Sequence, residues 1–174
     1  MRAEMRKVGN MLGALSIVLA DEIWAAVNDT LQTSGETASA LIMLGAHPGI
    51  PIKELGRALN LSHSGAVRLV DRLEKDGIVR RREGRDARTV RLHLTPAGTK
   101  LRRSVLKQRA RILERALAVL SADEVHQLGG YLDRMLRGLL TERQLGYRFC
   151  RMCEEECCVP HDCPVDAKWK ELSG

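Results

Sequence analysis

The chain has 174 residues, about one domain by length and long enough for a real core. Aromatic residues make up only 3%, so that core must be aliphatic, and Leu, Val, Ile and Ala mixed with many charges and few prolines favour helix over sheet. The formal charge of +6 is lopsided: 68–115 holds sixteen Lys/Arg against six Asp/Glu, the footprint of a phosphate-backbone binder or simply a solvated basic face, whereas 150–174 holds three against six.

In chain order, Leu12, Leu15, Leu19, Ile23, Val27 and Leu31 recur at helical spacing and predict one long helix from about Met5 to Leu31. Asp21 and Glu22 stand where a signal peptide would have its cleavage site, so this stretch is not read as one. No uninterrupted apolar run is expected to span a bilayer, and the chain is expected in the cytoplasm. Gly35 in "TSGET" breaks the helix, and Thr37 is the expected opening of the next, "ASALIMLGA". After the turn "HPGIP", Pro51 suits the first turn of "IKELGRALN", which Asn60 ends. Ser62 is the expected N-cap of "NLSHSGAVRLVDRLEKDG"; Ala66, Val70 and Leu73 share one face, Arg68, Arg72 and Lys75 lie elsewhere, and Gly77 stops the helix. Two short helices about a tight turn, the second displaying basic residues, have the shape of a helix-turn-helix.

The period then changes. Val90, Leu92 and Leu94 alternate against Thr89, Arg91 and His93, the two-residue repeat of a half-buried strand, and "EGRD" joins it to a strand beginning at Ile78. The hairpin is a β-wing with Arg85 and Arg88 at its tip; His93 is read as structural or solvent-facing. Pro96 opens a long helix through Leu120, and Ser121 with Glu124 in "SADE" predicts a capping box. Val125, Leu128, Leu132, Met135, Leu136 and Leu139 form a further apolar stripe. The terminal helices carry more apolar surface than a small wing domain covers, which predicts a homodimer. The expected fold class is mainly α with a small β-wing. Residues 1–35 form an N-terminal dimerisation helix, 36–96 a winged helix-turn-helix DNA-binding domain, 97–145 C-terminal dimerisation helices and 146–174 a cysteine-rich tail.

The run "IKELGRALNLSHSGAVRLVDRLEKDGIVRRREGRDARTVRLHLTPAGTKL", with its flanking helices, resembles the MarR-type winged helix-turn-helix transcriptional regulators over roughly residues 5 to 143. The most specific parts are "LVDRLEKDGIVRR", the Asp86-x-Arg88 pair and the "LTPAG" that closes the wing. The resemblance implies a dimer with one DNA-reading head per subunit, and Asp86 as a brace for the wing arginine. On physical grounds, a helix N-terminus in the major groove brings the short polar side chains Ser62, His63 and Ser64 to base edges, with Gly65 leaving room for approach. Arg68 and Arg72 suit phosphate or guanine contacts, although Arg72 equally suits a solvated pair with Asp76. Arg85 and Arg88 suit a narrow minor groove. The expected partner is double-stranded DNA with a palindromic operator.

All five cysteines fall in "YRFCRMCEEECCVPHDCP", in the pattern Cys-x2-Cys-x3-Cys-Cys-x4-Cys-Pro. In a reducing compartment such clusters more often hold a metal or sense redox state than form disulfides. Four thiolates can close around zinc or an iron–sulfur cluster. The glycines of two-knuckle zinc loops are missing between Cys150 and Cys163, so an iron–sulfur cluster is the preferred cofactor, zinc the alternative, and metal-free thiol switching a third reading. Cys150, Cys153 and Cys163 are the firmest metal ligands. Neighbours Cys157 and Cys158 point differently, so one completes the set, and Cys158 is favoured; His161 is an alternative zinc ligand. Glu154, Glu155 and Glu156 oppose ionisation of a bare thiol and fit a bound cation better. The function expected is a DNA-binding regulator, a repressor rather than an enzyme, with metal, iron–sulfur or redox input through these cysteines. The alternatives are an organic-effector regulator with a structural zinc clasp, for which Trp24, Tyr131, Tyr147 and two other aromatics must suffice, and a dithiol enzyme using Cys150 and Cys153, which lacks a βαβ setting.

Overall fold

The structure, a computed structural model, describes residues 2–31, 35–83 and 90–173. Its elements run α1 (Arg2–Leu31), α2 (Gly35–Ala46), α3 (Ile52–Leu59), α4 (His63–Lys75), β1 (Val79–Glu83), β2 (Val90–Leu94), α5 (Pro96–Leu117), α6 (Ala122–Leu139), α7 (Gly146–Cys150), α8 (Glu155–Cys158) and α9 (Pro164–Glu171). The strands pair antiparallel with Val79 opposite Leu94, Arg81 opposite Leu92 and Glu83 opposite Val90. The fold is mainly helical with a two-stranded wing, as the sequence predicts.

Two adjoining aliphatic clusters build the core. Met43 and Leu44 of α2, Leu55 of α3, Leu69, Val70 and Leu73 of α4, and Val79 and Leu92 of the hairpin make the first. Val27, Leu41, Ile42, Val105 and Leu106 join α1, α2 and α5 in the second. Each such side chain, fully buried, contributes about 1.5–3 kcal/mol relative to exposure. The helix-turn-helix is tight because Asn60 adopts the left-handed conformation (φ 57°), letting Leu61 N–H donate to Gly56 O at 2.8 Å.

The "LTPAG" stretch has a clear physical basis. Thr95 caps α5, accepting from Gly98 N–H at 3.1 Å and donating to Gly77 O at 2.7 Å. Gly98 sits so close to β1 that a Cβ there would lie 2.3 Å from Ile78 O. Ser121 and Glu124 form the expected capping box at the start of α6.

Several boundaries differ from expectation. α2 opens at Gly35, and Thr37 is a buried residue within it rather than its start. Pro51 precedes α3 in extended backbone and bridges to Arg91, so its fixed φ serves as a cap instead of a first turn. Only Leu92 of the alternating trio in β2 is buried; Val90 is 40% exposed because α2 and α3 cover only the base of the wing. α5 stops at Leu117. The wing turn with Arg85, Asp86 and Arg88 lies outside the described residues.

α1 corrects a further expectation. By length and composition it is long and apolar enough to cross a membrane, with an 18-residue window of mean hydropathy 1.4, since Asp21 and Glu22 are too few to offset its apolar residues. Met5, Val8, Met11, Leu12, Leu15 and Val18 are exposed along it. The same holds for Val125, Leu132, Met135 and Leu139 on α6, which buries none of its described residues.

The C-terminal segment folds back onto the body. α7 packs on α3, and α9 packs against α6 and α7. Arg143 stacks on Trp169 at 4.1 Å from the ring centroid, and Trp169 lies so close to Gly146 that a Cβ there would be 2.7 Å from its ring.

Candidate functional site

α4 begins at Ser62, whose Oγ accepts from Gly65 N–H at 3.1 Å and lies 3.2 Å from Ser64 Oγ. The helix is buried through Ala66, Leu69, Val70 and Leu73, and that anchoring turns Ser62, His63, Ser64, Arg68 and Arg72 outward, all exposed. Arg72 Nη2 reaches Thr37 Oγ1 on α2 at 3.4 Å. At the base of the wing, Arg81 donates to Asp71 Oδ1 at 2.6 Å, pairs with Glu74, and donates its backbone N–H to Glu74 Oε1 at 3.2 Å. These bonds fix the wing's angle to α4. His93 on β2 is half-buried, and burial, then Arg82 and Arg80, push its pKa down.

The cysteine segment forms a second site. Cys150 ends α7, Cys153 follows in a turn closed by its N–H donating to Cys150 O at 2.8 Å, Cys158 ends α8 and Cys163 precedes α9. These four line one cavity of about 230 Å³, together with His47, Tyr147, Glu155 and Trp169. Cys157 is exposed and is not among the lining residues; nor is His161. All five are free thiols. The Cys150–Cys153 hydrogen bond lowers the Cys153 pKa to about 7, helped by Arg109 and opposed by burial, while the same bond and burial push Cys150 up. Burial, then Cys153 and Cys163, raise Cys158; Glu154 raises Cys157. As the chain stands, no three His, Cys, Asp or Glu side chains among the described residues converge closely enough to hold a metal ion.

Two carboxylates tie this segment to the winged-helix lobe. Glu155 Oε1 lies 3.1 Å from His47 Nε2 at the end of α2, and the His47 ring meets Tyr147 edge-on at 5.0 Å. Glu156 accepts from Arg102 Nη2 at 2.8 and 2.9 Å; its own backbone N–H, then Arg102, lower its pKa. Arg102 runs alongside α2 where Gly45 leaves space: a Cβ at 45 would be 2.2 Å from its side chain.

A model of the MarR family matches residues 31–89. The transcriptional repressor MprA of Escherichia coli (strain K12) is 36% identical over 110 residues, 62% of each chain. A MarR-family transcriptional regulator from Silicibacter pomeroyi has a similar structure, with a TM-score of 0.60, 26% identity, and coverage of 74% of this chain and 89% of that one. Over these stretches the chain is similar to the MarR family. A mutant of S. aureus MepR bound to an oligodeoxyribonucleotide superposes with a TM-score of 0.57 at 21% identity, over 76% of this chain and 97% of that one. The chain spans 62% of the length of the curated relatives it matches.

The MarR-family match takes in α2 through β1 and ends at residue 89, so the cysteine segment lies outside it. Ser62, His63, Ser64, Arg68 and Arg72 come together on α4; Cys150, Cys153, Cys158 and Cys163 come together at the cavity. Sequence reasoning missed Arg81, His47, Arg102 and Arg109. Arg102 left a legible trace, since it follows Gly98 by four and precedes Val105 and Leu106 on the buried stripe of α5, where a charge is out of place. His47 left none, being one residue of a turn.

Proposed function

We propose that this chain is a MarR-family, sequence-specific DNA-binding transcriptional regulator, a homodimeric repressor, whose output is set through its C-terminal cysteines by a metal, an iron–sulfur cluster or thiol redox state. The observation that carries the reading is the exposed row on α4, Ser62, His63, Ser64, Arg68 and Arg72, with the wing locked to that helix by Arg81. Short polar groups at the helix start suit base edges, and the arginines suit phosphates or guanine. The named role of MprA as a transcriptional repressor and the oligonucleotide bound to the MepR mutant support the same reading. The dimer is supported by the unpartnered apolar faces of α1 and α6, which a second copy would bury. Two-fold symmetry implies a palindromic operator with half-sites about one helical turn apart.

The test is selection of bound sequences from random duplex, followed by affinity measurement at several salt concentrations and by sedimentation. An inverted repeat bound by a dimer, with affinity falling steeply with salt, is expected. A folded monomer at working concentration, or equal affinity for all duplexes, contradicts the reading.

A further inference from the structure

We infer that Cys150, Cys153, Cys158 and Cys163 hold one thiophilic metal centre, zinc or iron–sulfur, and that Glu155–His47 and Glu156–Arg102 form the latch between that centre and the DNA-reading lobe. The second half rests on the regulator reading above; the first does not.

Chain geometry carries the centre. The segment is three short α-helices with a 3-10 turn at Val159–His161, and the four cysteines sit at their ends and turns: Cys150 at the close of α7, Cys153 three residues on in a hydrogen-bonded turn, Cys158 at the close of α8, Cys163 just before α9. Backbone breaks at those points bring four cysteines to the lining of one cavity. Cys157 and Cys158 are successive residues of α8, about 100° apart around its axis, so only one of them faces inward. Four thiols around one space match the ligand number of tetrahedral zinc and of a cubane cluster. In the conformation described the thiols share the cavity without converging, so ligation draws the turns inward. For zinc the balance is one Zn2+ and four thiols giving a tetrathiolate of net charge −2 and four released protons. No oxidant is required. Arg109, on the α5 surface facing the cysteines, supplies a compensating positive charge.

The latch follows from what the intervening residues do. Glu154, Glu155 and Glu156 lie between two ligands, so any inward movement of Cys153 and Cys158 moves them. Glu155 holds His47, which follows α2 directly and precedes the helix-turn-helix, and Glu156 holds the buried Arg102 of α5. His47 donates its backbone N–H to Met43 O of α2 at 2.9 Å and Arg102 lies on α5, and both helices pack directly on the DNA-reading unit, α2 against α3 and α4, α5 against β2. A centre that closes the segment therefore changes the positions of two charges gripping the lobe, which is the differential contact a two-state switch requires.

The experiment uses the full chain purified without oxygen. Elemental analysis and absorption spectra are expected to give about one zinc, or about four iron with a broad visible band, per chain, which separates the two sources. Mass spectrometry after brief alkylation is expected to label Cys157 and leave the other four protected, with all five labelled once a chelator has removed the metal; this readout does not depend on any variant folding. Substoichiometric metal, or equal labelling of all five in the purified protein, overturns the centre, as does loss of metal in Cys157→Ser equal to that in Cys158→Ser. For the latch, removing the metal is expected to change operator affinity by roughly five-fold or more, and Glu155→Gln/Glu156→Gln to erase that difference while keeping the metal. An unchanged difference in the double variant, or no difference in the wild type, overturns the latch. A protein that holds its metal and binds no duplex in either state sinks the regulator reading and leaves the centre standing.

Discussion

Arg102, buried on α5, donates from Nη2 to both carboxylate oxygens of Glu156, fifty-four residues further along the chain, at 2.8 and 2.9 Å. Its Nε finds no acceptor among the described residues, so Glu156 is what compensates the charge. Replacing Glu156 by Ala is expected to cost about 1 kcal/mol in urea unfolding of the metal-free protein. The value sits at the low end for an orphaned buried charge because Glu156 is itself 60% exposed and water takes over part of its role. An unchanged midpoint would show that Arg102 rearranges freely.

Gly98→Ala is expected to destabilise by about 1–3 kcal/mol, the range for overpacking. The added methyl meets backbone, Ile78 O at 2.3 Å, and backbone cannot swing aside as a side chain can. Thermal unfolding of the variant reads this directly.

Glu124 gives a pH signature. Bonds from the Ser121 backbone and side chain hold its carboxyl below the ordinary range. A depressed folded-state pKa contributes stability that is present above the unfolded value, about 4.3, and is lost as pH falls through the folded value. The stability difference between wild type and Glu124→Gln should therefore be constant at neutral pH and shrink under acid conditions, as measured by denaturant titrations across that range. A difference that grows with acid would contradict the capping role.

Arg68 and Arg81 separate direct contact from positioning. Arg68 is exposed on α4, whereas Arg81 is occupied by Asp71 and Glu74. Arg68→Ala is expected to lower the salt slope of operator binding by about one, the loss of one phosphate contact. Arg81→Ala is expected to weaken binding with the slope intact, because it frees the wing without removing a contact. Identical slopes for both variants would leave Arg68 without a phosphate.

The winged-helix body was legible because its rules are local. Ser62 and Ser121 cap, Asn60 breaks, Gly98 permits a close approach, and Leu92 alternates with its neighbours; each choice is decided within a few residues. The edges of the reading failed where distant packing decides. Thr37 is a good helix opener by type, yet α2 begins before it, and Thr37 is buried with its Oγ1 accepting from Arg72 Nη2 of α4 at 3.4 Å. Val90 alternates correctly, yet it is exposed, because the packing that buries Leu92 lies at the base of the wing. At the cysteines the spacing named the residues that line the cavity, but not His47 or Arg102, which come from the turn after α2 and from α5 and share no local pattern with the segment they grip.

Gly45 shows what transplanting the C-terminal segment would involve. Arg102 lies flat against the backbone of α2 only because position 45 carries no Cβ, and with any larger residue there its guanidinium could not reach Glu156 in the same pose. The seat of the cysteine segment is thus written in separate places along the chain, at Gly45 and His47, at Arg102 and Arg109, and from Gly146 to Trp169. Fusing residues 146–173 to another winged-helix protein would carry over the cysteines and leave their footing behind. A graft that also installs the glycine, histidine and arginines is the smallest portable unit.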